Sequence, residues 1–225
     1  MFIQMSGATI AVGIVGASGF TGAELLRLAA QHPAYDLRVA TGDSMAGQRA
    51  ASLYPSLEVA YPDLVFSEFD PAAMNGLDLV FLGLPHDASM ALAPSLVGEV
   101  GCVVDLSAAF RLKDAAAYPR FYGFEHTQPA LLAEAVFGLP ELHRRALSGA
   151  RLVATPGCHV TAATLALRPL VEAGLIETAG VVVNTLTGVT GAGRAPTDTN
   201  VFTNIDSNAI PYGLLSHRHT PEMEQ

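Results

Sequence analysis

Cys158 is the residue on which chemistry is most easily built. It sits in residues 151–167, RLVATPGCHVTAATLAL, where a short strand pattern at 151–155 passes through Pro156 and Gly157 into an apolar, Ala-rich helix at 160–167. A cysteine at or just before a first helical turn meets unpaired N–H groups and the positive end of the helix dipole. Both favour the thiolate, the state a nucleophile needs. The alternative is a small buried residue filling a helix–strand contact. A thiol nucleophile also needs a base that can later return a proton near neutral pH. The segment His217-Arg218-His219-Thr220-Pro221-Glu222 offers two histidines, and spacing alone does not say which one would serve. Two histidines at i, i+2 with no acidic ligand at metal spacing make a weak zinc site, and no metal cluster is expected.

A second chemical element lies near the start of the chain. A buried-strand pattern at residues 9–15, TIAVGIV, leads into Gly16, Ala17, Ser18, Gly19, Phe20, Thr21 and Gly22 and then into a helix, AELLRLAAQH. The spacing is GxxGxxG rather than GxGxxG. Strand, glycine turn and helix together still point to a dinucleotide: glycine lets the backbone approach a pyrophosphate, and the helix N-terminus supplies donors. A glycine turn serving packing alone is the competing reading. After the next strand, residues 36–41, come Asp43 and Ser44. Asp43 suits a ribose 2′-OH and NAD, Ser44 or Arg49 suits a 2′-phosphate and NADP, and a turn aspartate that caps the backbone is equally open.

These elements must be positioned by a sheet. Further strands are expected at 63–66, 77–84, 101–107, 151–155 and 181–186, with a returning helix at 87–97, so the pattern reads as an α/β, doubly wound, mostly parallel sheet. Strand 77–84 ends in Pro85 and His86 at the crevice; His86 either contacts a ligand or serves as a structural hydrogen-bonder. Cys102 reads as core. Arg111, after strand 101–107, is either a bidentate clamp for a carboxylate or phosphate or half of an ion pair. A long connection follows at 112–147, rich in aromatics, and links of that length usually carry ligand contacts. The glycine-rich run that ends in Arg194 suits an anion site.

Composition narrows the classes. The chain has 225 residues, 50% of them hydrophobic, enough for one large domain or two small ones. Its formal net charge of −9 argues against a nucleic-acid footprint or an anionic membrane surface. Two cysteines cannot build a disulfide framework, which fits a reducing cytoplasm. The N-terminal run lacks basic residues ahead of its apolar stretch and does not read as a signal peptide, and no apolar run reaches membrane-spanning length.

Eight segments in order, VGIVGASGFTGAELLRL, LPHDAS, DLSAAFRL, YGFEH, FGLPEL, ATPGCHVTA, TGAGRA and HRHTPE, resemble the N-acetyl-gamma-glutamyl-phosphate reductases, within the aspartate-semialdehyde dehydrogenase-like group. The resemblance implies a Rossmann-type dinucleotide domain at 1–155 followed by an incomplete α+β substrate and dimerisation domain at 156–225. It implies Cys158 as nucleophile and His217 as acid–base. Arg111, Arg194 and His219 fall on the substrate side, and Gly16 to Gly22, Ser44 and Pro85 on the cofactor side. NADP is the implied cofactor, with NAD kept open by Asp43. The implied reaction is reduction of an acyl phosphate in arginine biosynthesis by a cytoplasmic homo-oligomer. Sister reductases of aspartyl or carrier-linked aminoadipyl phosphate, and a catalytically silent nucleotide-binding fragment, are the alternatives. Two departures stand out: Gly157-Cys158-His159-Val160-Thr161 where relatives often read GCYPT, and Asp43 where a 2′-phosphate partner is common. Family members continue beyond HRHTPE, so an unpaired sheet edge and an exposed apolar face are expected of this chain alone.

Overall fold

The computed structural model describes residues 9–225; most of the N-terminal run weighed above as a possible leader lies outside the described residues. Six parallel strands form one sheet in the order β2-β1-β3-β4-β6-β5. They are β1 (Ile10–Val15), β2 (Tyr35–Ala40), β3 (Leu79–Leu82), β4 (Cys102–Asp105), β5 (Val136–Phe137) and β6 (Leu152–Ala154). Strands covered on both faces need apolar residues in near-continuous runs, and IAVGIV, LVFL and CVVD supply them. One face is filled around Val15, Val80, Leu82, Val103 and Tyr118, the other around Val12, Ile14, Leu26 and Phe66.

The helices follow in chain order: α1 (Phe20–Gln31), α2 (Ala50–Leu53), α3 (Pro71–Met74), α4 (His86–Leu96), α5 (Tyr118–Tyr122), α6 (Pro129–Glu134), α7 (Pro140–Leu147), α8 (Cys158–Glu172), α9 (Phe202–Ile205) and α10 (Thr220–Glu224). In α1 the buried positions are Gly22, Leu26 and Ala29, the i, i+4, i+7 stripe of a helix lying on a sheet. The chain leaves β1 toward β2 and then returns across β1 to β3, so the strand order reverses beside β1. In open α/β sheets, ligands bind at such a reversal, outside the carboxyl ends of the strands. Five segments meet at that edge: residues 16–22, 42–44, 83–86, 106–111 and 155–158.

Three expectations change. The connection at 112–147 is not all loop: it contains α5, α6 and α7 and the short edge strand β5, parallel to β6. Residues 63–66 form no strand of the sheet, making only a single antiparallel bridge, Arg49 to Val65, with a parallel one from Thr41 to Ser67 beside it. Residues 181–186, VVVNTL, are not a strand either. A strand must be paired to satisfy its backbone, and among the described residues this one has no neighbour to pair with. Its apolar side chains stand in solvent, Val182 at 81% and Leu186 at 94%, as do Phe202, Leu214 and Leu215.

Gly16 marks where this frame tolerates no side chain. Its φ is +83°, and a Cβ there would overlap the Gly83 carbonyl oxygen, because the β1 and β3 turns touch. Gly76 has nearly the same φ, +76°, with open space around it. Gly16→Ala is therefore expected to lower the free energy of unfolding in urea by roughly 2–5 kcal/mol, combining left-handed strain with overpacking. Gly76→Ala should cost only about 1–2 kcal/mol, the strain alone. Equal losses at the two positions would contradict the close approach of the turns.

Candidate active site

The glycine turn is a cradle of backbone. Ala17 N–H donates to the Thr41 carbonyl (2.7 Å), and Ser18 Oγ donates to the Gly42 carbonyl (3.1 Å), which ties the β1 turn to the end of β2. A Cβ on Gly22 would overlap Ala17 and the Gly16 carbonyl, whereas at Gly19 only the Gly16 carbonyl comes near, at ordinary contact distance. The N–H groups of Phe20, Thr21 and Gly22 open α1 without intrahelical acceptors, and an anion can take them. These residues fit the pyrophosphate of a dinucleotide. At the end of β2, Asp43 (φ +42°) and Ser44 are exposed in a short 3-10 turn. Arg49 is turned away to Glu58 (3.2 Å) and the Pro62 carbonyl.

Arg194 lies at this turn. Its Nη1 donates to the Ser18 carbonyl (3.4 Å), and its guanidinium sits 5.7 Å from the centre of the Tyr54 ring. Tyr54 donates its hydroxyl to the same carbonyl (2.8 Å).

At the end of β3, Pro85 caps α4 and His86 opens it. His86 Nδ1 accepts the Ala108 N–H (2.9 Å), so in the neutral ring Nε2 carries the proton. Burial, and next the charges of Arg218 and Arg111, push its pKa down to about 4. Asp105, at the end of β4, is fully buried and accepts from Ser89 Oγ (2.7 Å), Ser107 N–H (3.0 Å) and Ser107 Oγ (2.8 Å). Desolvation nonetheless holds its carboxyl above the usual range. Ser107 Oγ then accepts the Ala109 N–H (3.0 Å), so this carboxylate shapes the loop that carries Arg111.

Cys158 is the first residue of α8, exposed, with Gly157 as N-cap. Next in sequence, His159 is buried, with Tyr212 Oη at 2.7 Å from Nε2 and Thr185 Oγ1 at 2.6 Å from Nδ1. Burial, and next the charge of Cys158, hold the Tyr212 hydroxyl above its ordinary value. His217 and His219 complete an imidazole cluster: ring centres lie 5.2 Å apart for His159 and His217 and 4.7 Å apart for His217 and His219. The last two differ. His219 is buried against Gly157, where a Cβ would overlap its ring, and burial followed by Arg111, His217, Arg218 and His159 pushes it down to about 3. His219 is thus neutral in ordinary buffers, and its 3.9 Å approach to Glu222 is not an ion pair. His217 is partly exposed and lowered less, chiefly by burial; its Nδ1 accepts the His219 N–H (3.1 Å), leaving Nε2 for other partners.

Arg111 is an ion pair first. Its Nη1 meets Glu222 Oε1 (3.3 Å), and its Nη2 donates to the Leu106 carbonyl (3.0 Å). Glu222 also accepts the Tyr122 hydroxyl and the Gly157 N–H (2.9 Å). Arg111 Nε and His219 Nδ1 are buried with no partner among the described residues. No group of three or more potential metal ligands occurs among the described residues, and no helix there is long and apolar enough to cross a membrane.

The fold gathers Cys158, His217, His219 and Arg111 at one end of the sheet and sets Arg194 at the glycine turn. Sequence reasoning missed Glu222, Tyr122, His159 and Asp105 as site-forming residues. Glu222 and Tyr122 fell inside quoted motifs, HRHTPE and YGFEH, but no spacing rule joins positions 100 residues apart.

Residues 11–150 match the NAD binding domain of semialdehyde dehydrogenases, and residues 158–225 match their dimerisation domain. The chain belongs to the semialdehyde dehydrogenase family. It is 48% identical over 218 residues to the N-acetyl-gamma-glutamyl-phosphate reductase of Symbiobacterium thermophilum, covering 96% of this chain and 62% of that protein. It is 46% identical over 216 residues to the reductase of the same name from Pseudomonas aeruginosa PAO1, covering 96% of this chain and 63% of that protein. The chain therefore spans less than two thirds of these relatives' length. The fold is shared with aspartate semialdehyde dehydrogenase II of Vibrio cholerae, in complex with ASA (TM-score 0.56, 17% identity, 84% of this chain, 49% of that one). It is shared also with the Candida albicans aspartate semialdehyde dehydrogenase with NADP (TM-score 0.56, 18% identity, 75% of this chain, 48% of that one). A doubly wound nucleotide domain followed by dimerisation-domain sequence is thus the semialdehyde dehydrogenase arrangement.

The depressed imidazoles set a pH dependence. His86 binds its proton at about 4 when folded and near 6.5 when unfolded, so acid favours the unfolded chain. Its contribution is intact above pH 6.5 and is lost as pH falls from there toward 4. In His86→Asn, whose side-chain oxygen can accept the Ala108 N–H, that loss is expected to vanish. Urea midpoints of the two proteins should converge, or cross in favour of the variant, between pH 6.5 and 4. Parallel curves would show that His86 is not desolvated.

Proposed function

We propose that the chain is the nucleotide-binding and nucleophile-bearing part of an N-acetyl-gamma-glutamyl-phosphate reductase, which reduces N-acetylglutamyl 5-phosphate to the 5-semialdehyde and phosphate. The observation that carries this reading is the placement of Cys158. It is an exposed thiol at the first position of a long helix, on the same sheet edge as a glycine cradle shaped for a dinucleotide. The near-half identity to reductases of that name supports the substrate class.

The chemistry follows from the residues. Cys158 thiolate attacks the acyl carbonyl, the C–O bond to phosphate breaks, and a thioester forms on Sγ. NADPH, bound with its pyrophosphate at Gly16, Ala17, Ser18, Gly19, Phe20, Thr21 and Gly22, would supply the hydride that reduces the acyl group. Ser44 and Pro85 flank that site. His217 is the proton carrier: it is partly exposed, and its Nε2 is the ring nitrogen not engaged by the His219 N–H. It protonates the oxygen of the hemithioacetal and takes that proton back as the C–S bond breaks and the aldehyde leaves. His219, held neutral, donates or accepts a hydrogen bond without changing charge. Arg111, although paired with Glu222, lends positive charge to the substrate's end of the sheet, while Arg194, from its place at Ser18, suits the cofactor's phosphates better than the substrate. Asp43 leaves NAD as the alternative dinucleotide. The same reading divides the chain at 155/156 and makes it homo-oligomeric, in keeping with the dimerisation-domain match, and cytoplasmic.

Single-turnover acylation tests the proposal. The purified chain, mixed with N-acetylglutamyl phosphate and quenched, should show one N-acetylglutamyl adduct by intact mass, absent in Cys158→Ser. His217→Asn should form the adduct but, with NADPH present, release aldehyde about 10²–10⁴-fold more slowly. Faster acylation by aspartyl phosphate would reassign the substrate to a sister reductase, and NADPH binding with no adduct from either would leave a silent nucleotide-binding domain.

A further inference from the structure

Glu222 has a side chain with no exposed surface, and its carboxylate gathers donors from three distant parts of the chain. Oε1 meets Arg111 Nη1 (3.3 Å), from the loop after β4, and the hydroxyl of Tyr122, the last residue of α5. Oε2 accepts the N–H of Gly157 (2.9 Å). Pairing with Arg111 answers the cost of burying the charge. The Gly157 bond is separate: it uses the other oxygen and grips the Pro156–Gly157 peptide, one residue ahead of Cys158. Gly157 also carries no Cβ, and the His219 ring occupies the space a side chain would take. The turn that aims Cys158 is thus held from one side by a carboxylate and packed from above by an imidazole, both from the 217–222 segment. We propose that Glu222 is the positioning residue of the nucleophile: with one oxygen pinned by Arg111 and Tyr122, the other fixes the Gly157 peptide and so the direction in which Cys158 Sγ is presented.

The proposal rests on Cys158 being the acylated thiol, and it makes a shape argument, not a charge argument. Two conservative variants separate these. Glu222→Gln keeps the length of the side chain and an oxygen for the Gly157 N–H; it loses the charge and the Arg111 pairing, and its amide nitrogen is held instead by donating to the Tyr122 phenol oxygen. Glu222→Asp keeps the charge but withdraws the oxygens by one methylene. In the 225-residue chain, the Gly157 amide should stay protected from hydrogen exchange in Glu222→Gln and exchange at least about tenfold faster in Glu222→Asp. Single-turnover acylation by N-acetylglutamyl phosphate should fall roughly 30- to 100-fold in Glu222→Asp, the cost of a misaimed nucleophile, and less than about fivefold in Glu222→Gln. Alkylation of Cys158 by iodoacetamide, a small reagent indifferent to aim, should change by less than about threefold in both. The opposite order, with Asp active and Gln inactive, overturns the proposal in favour of a charge role. So do two variants that match the parent protein, and so does a folded Gln variant that fails to acylate; if burial of the unpaired Arg111 unfolds the Gln variant, Gly157 exchange and acylation in Glu222→Asp against the parent decide the proposal. If the parent protein is not acylated at all, the functional reading fails by itself, and Gly157 exchange in the two variants still decides whether Glu222 holds the turn.

Discussion

A carboxylate taken wholly out of water must be met by donors, and Glu222 is met by a guanidinium, a phenol and a backbone amide. Removing one partner of such a buried pair typically costs about 3–5 kcal/mol, because the other is left uncompensated. That constraint couples the last turn of the chain to the loop after β4, to α5 and to the start of α8. Gln225 strengthens the closure, its side chain accepting the Lys113 N–H (3.0 Å) and donating to the Arg111 carbonyl (2.7 Å). Arg111, the turn before Cys158 and the 217–222 segment are held in one place by this small knot of buried polar bonds, beneath which lies an ordinary apolar sheet core.

The sheet supplies the other half of the arrangement. Parallel strands must all end at the same side, so the turns after β1, β2, β3, β4 and β6 converge without any special interaction. The glycine turn after β1 and Cys158 at the start of α8 then share an edge. Asp105 refines this edge locally: its carboxylate, buried at a cost visible in its raised pKa, draws Ser89 of α4 and Ser107 of the next loop onto β4. The loop so shaped brings Ala108 to His86 and Arg111 to Glu222.

Against that framework, the segment between α8 and the histidine motif stands apart. It touches the rest through a few polar contacts, Thr185 and Tyr212 on His159 and Arg194 on Ser18, and leaves several large apolar side chains in solvent. VVVNTL reads as a strand by composition, yet a strand is defined by its neighbour, and none of the described residues provides one. The edge strand β5 fails in the opposite direction: two residues, Val136 and Phe137, are too short a run to show a period, and only the adjacent β6 makes them a strand.

Sequence by itself determined what depends on neighbours along the chain. The apolar runs of β1, β3 and β4, the glycine turn into α1 and the strand-to-helix change at Cys158 are local patterns, legible because backbone sterics and hydrophobic period act over a few residues. Tertiary structure alone decided which side chains meet. It separated His219, desolvated and neutral, from the more accessible His217 two residues away. It set Arg194 at the glycine turn, and it gave Arg111 to Glu222 across 111 residues of chain. Burial and charge pairing are properties of the space around a group, and no spacing in the sequence encodes that space.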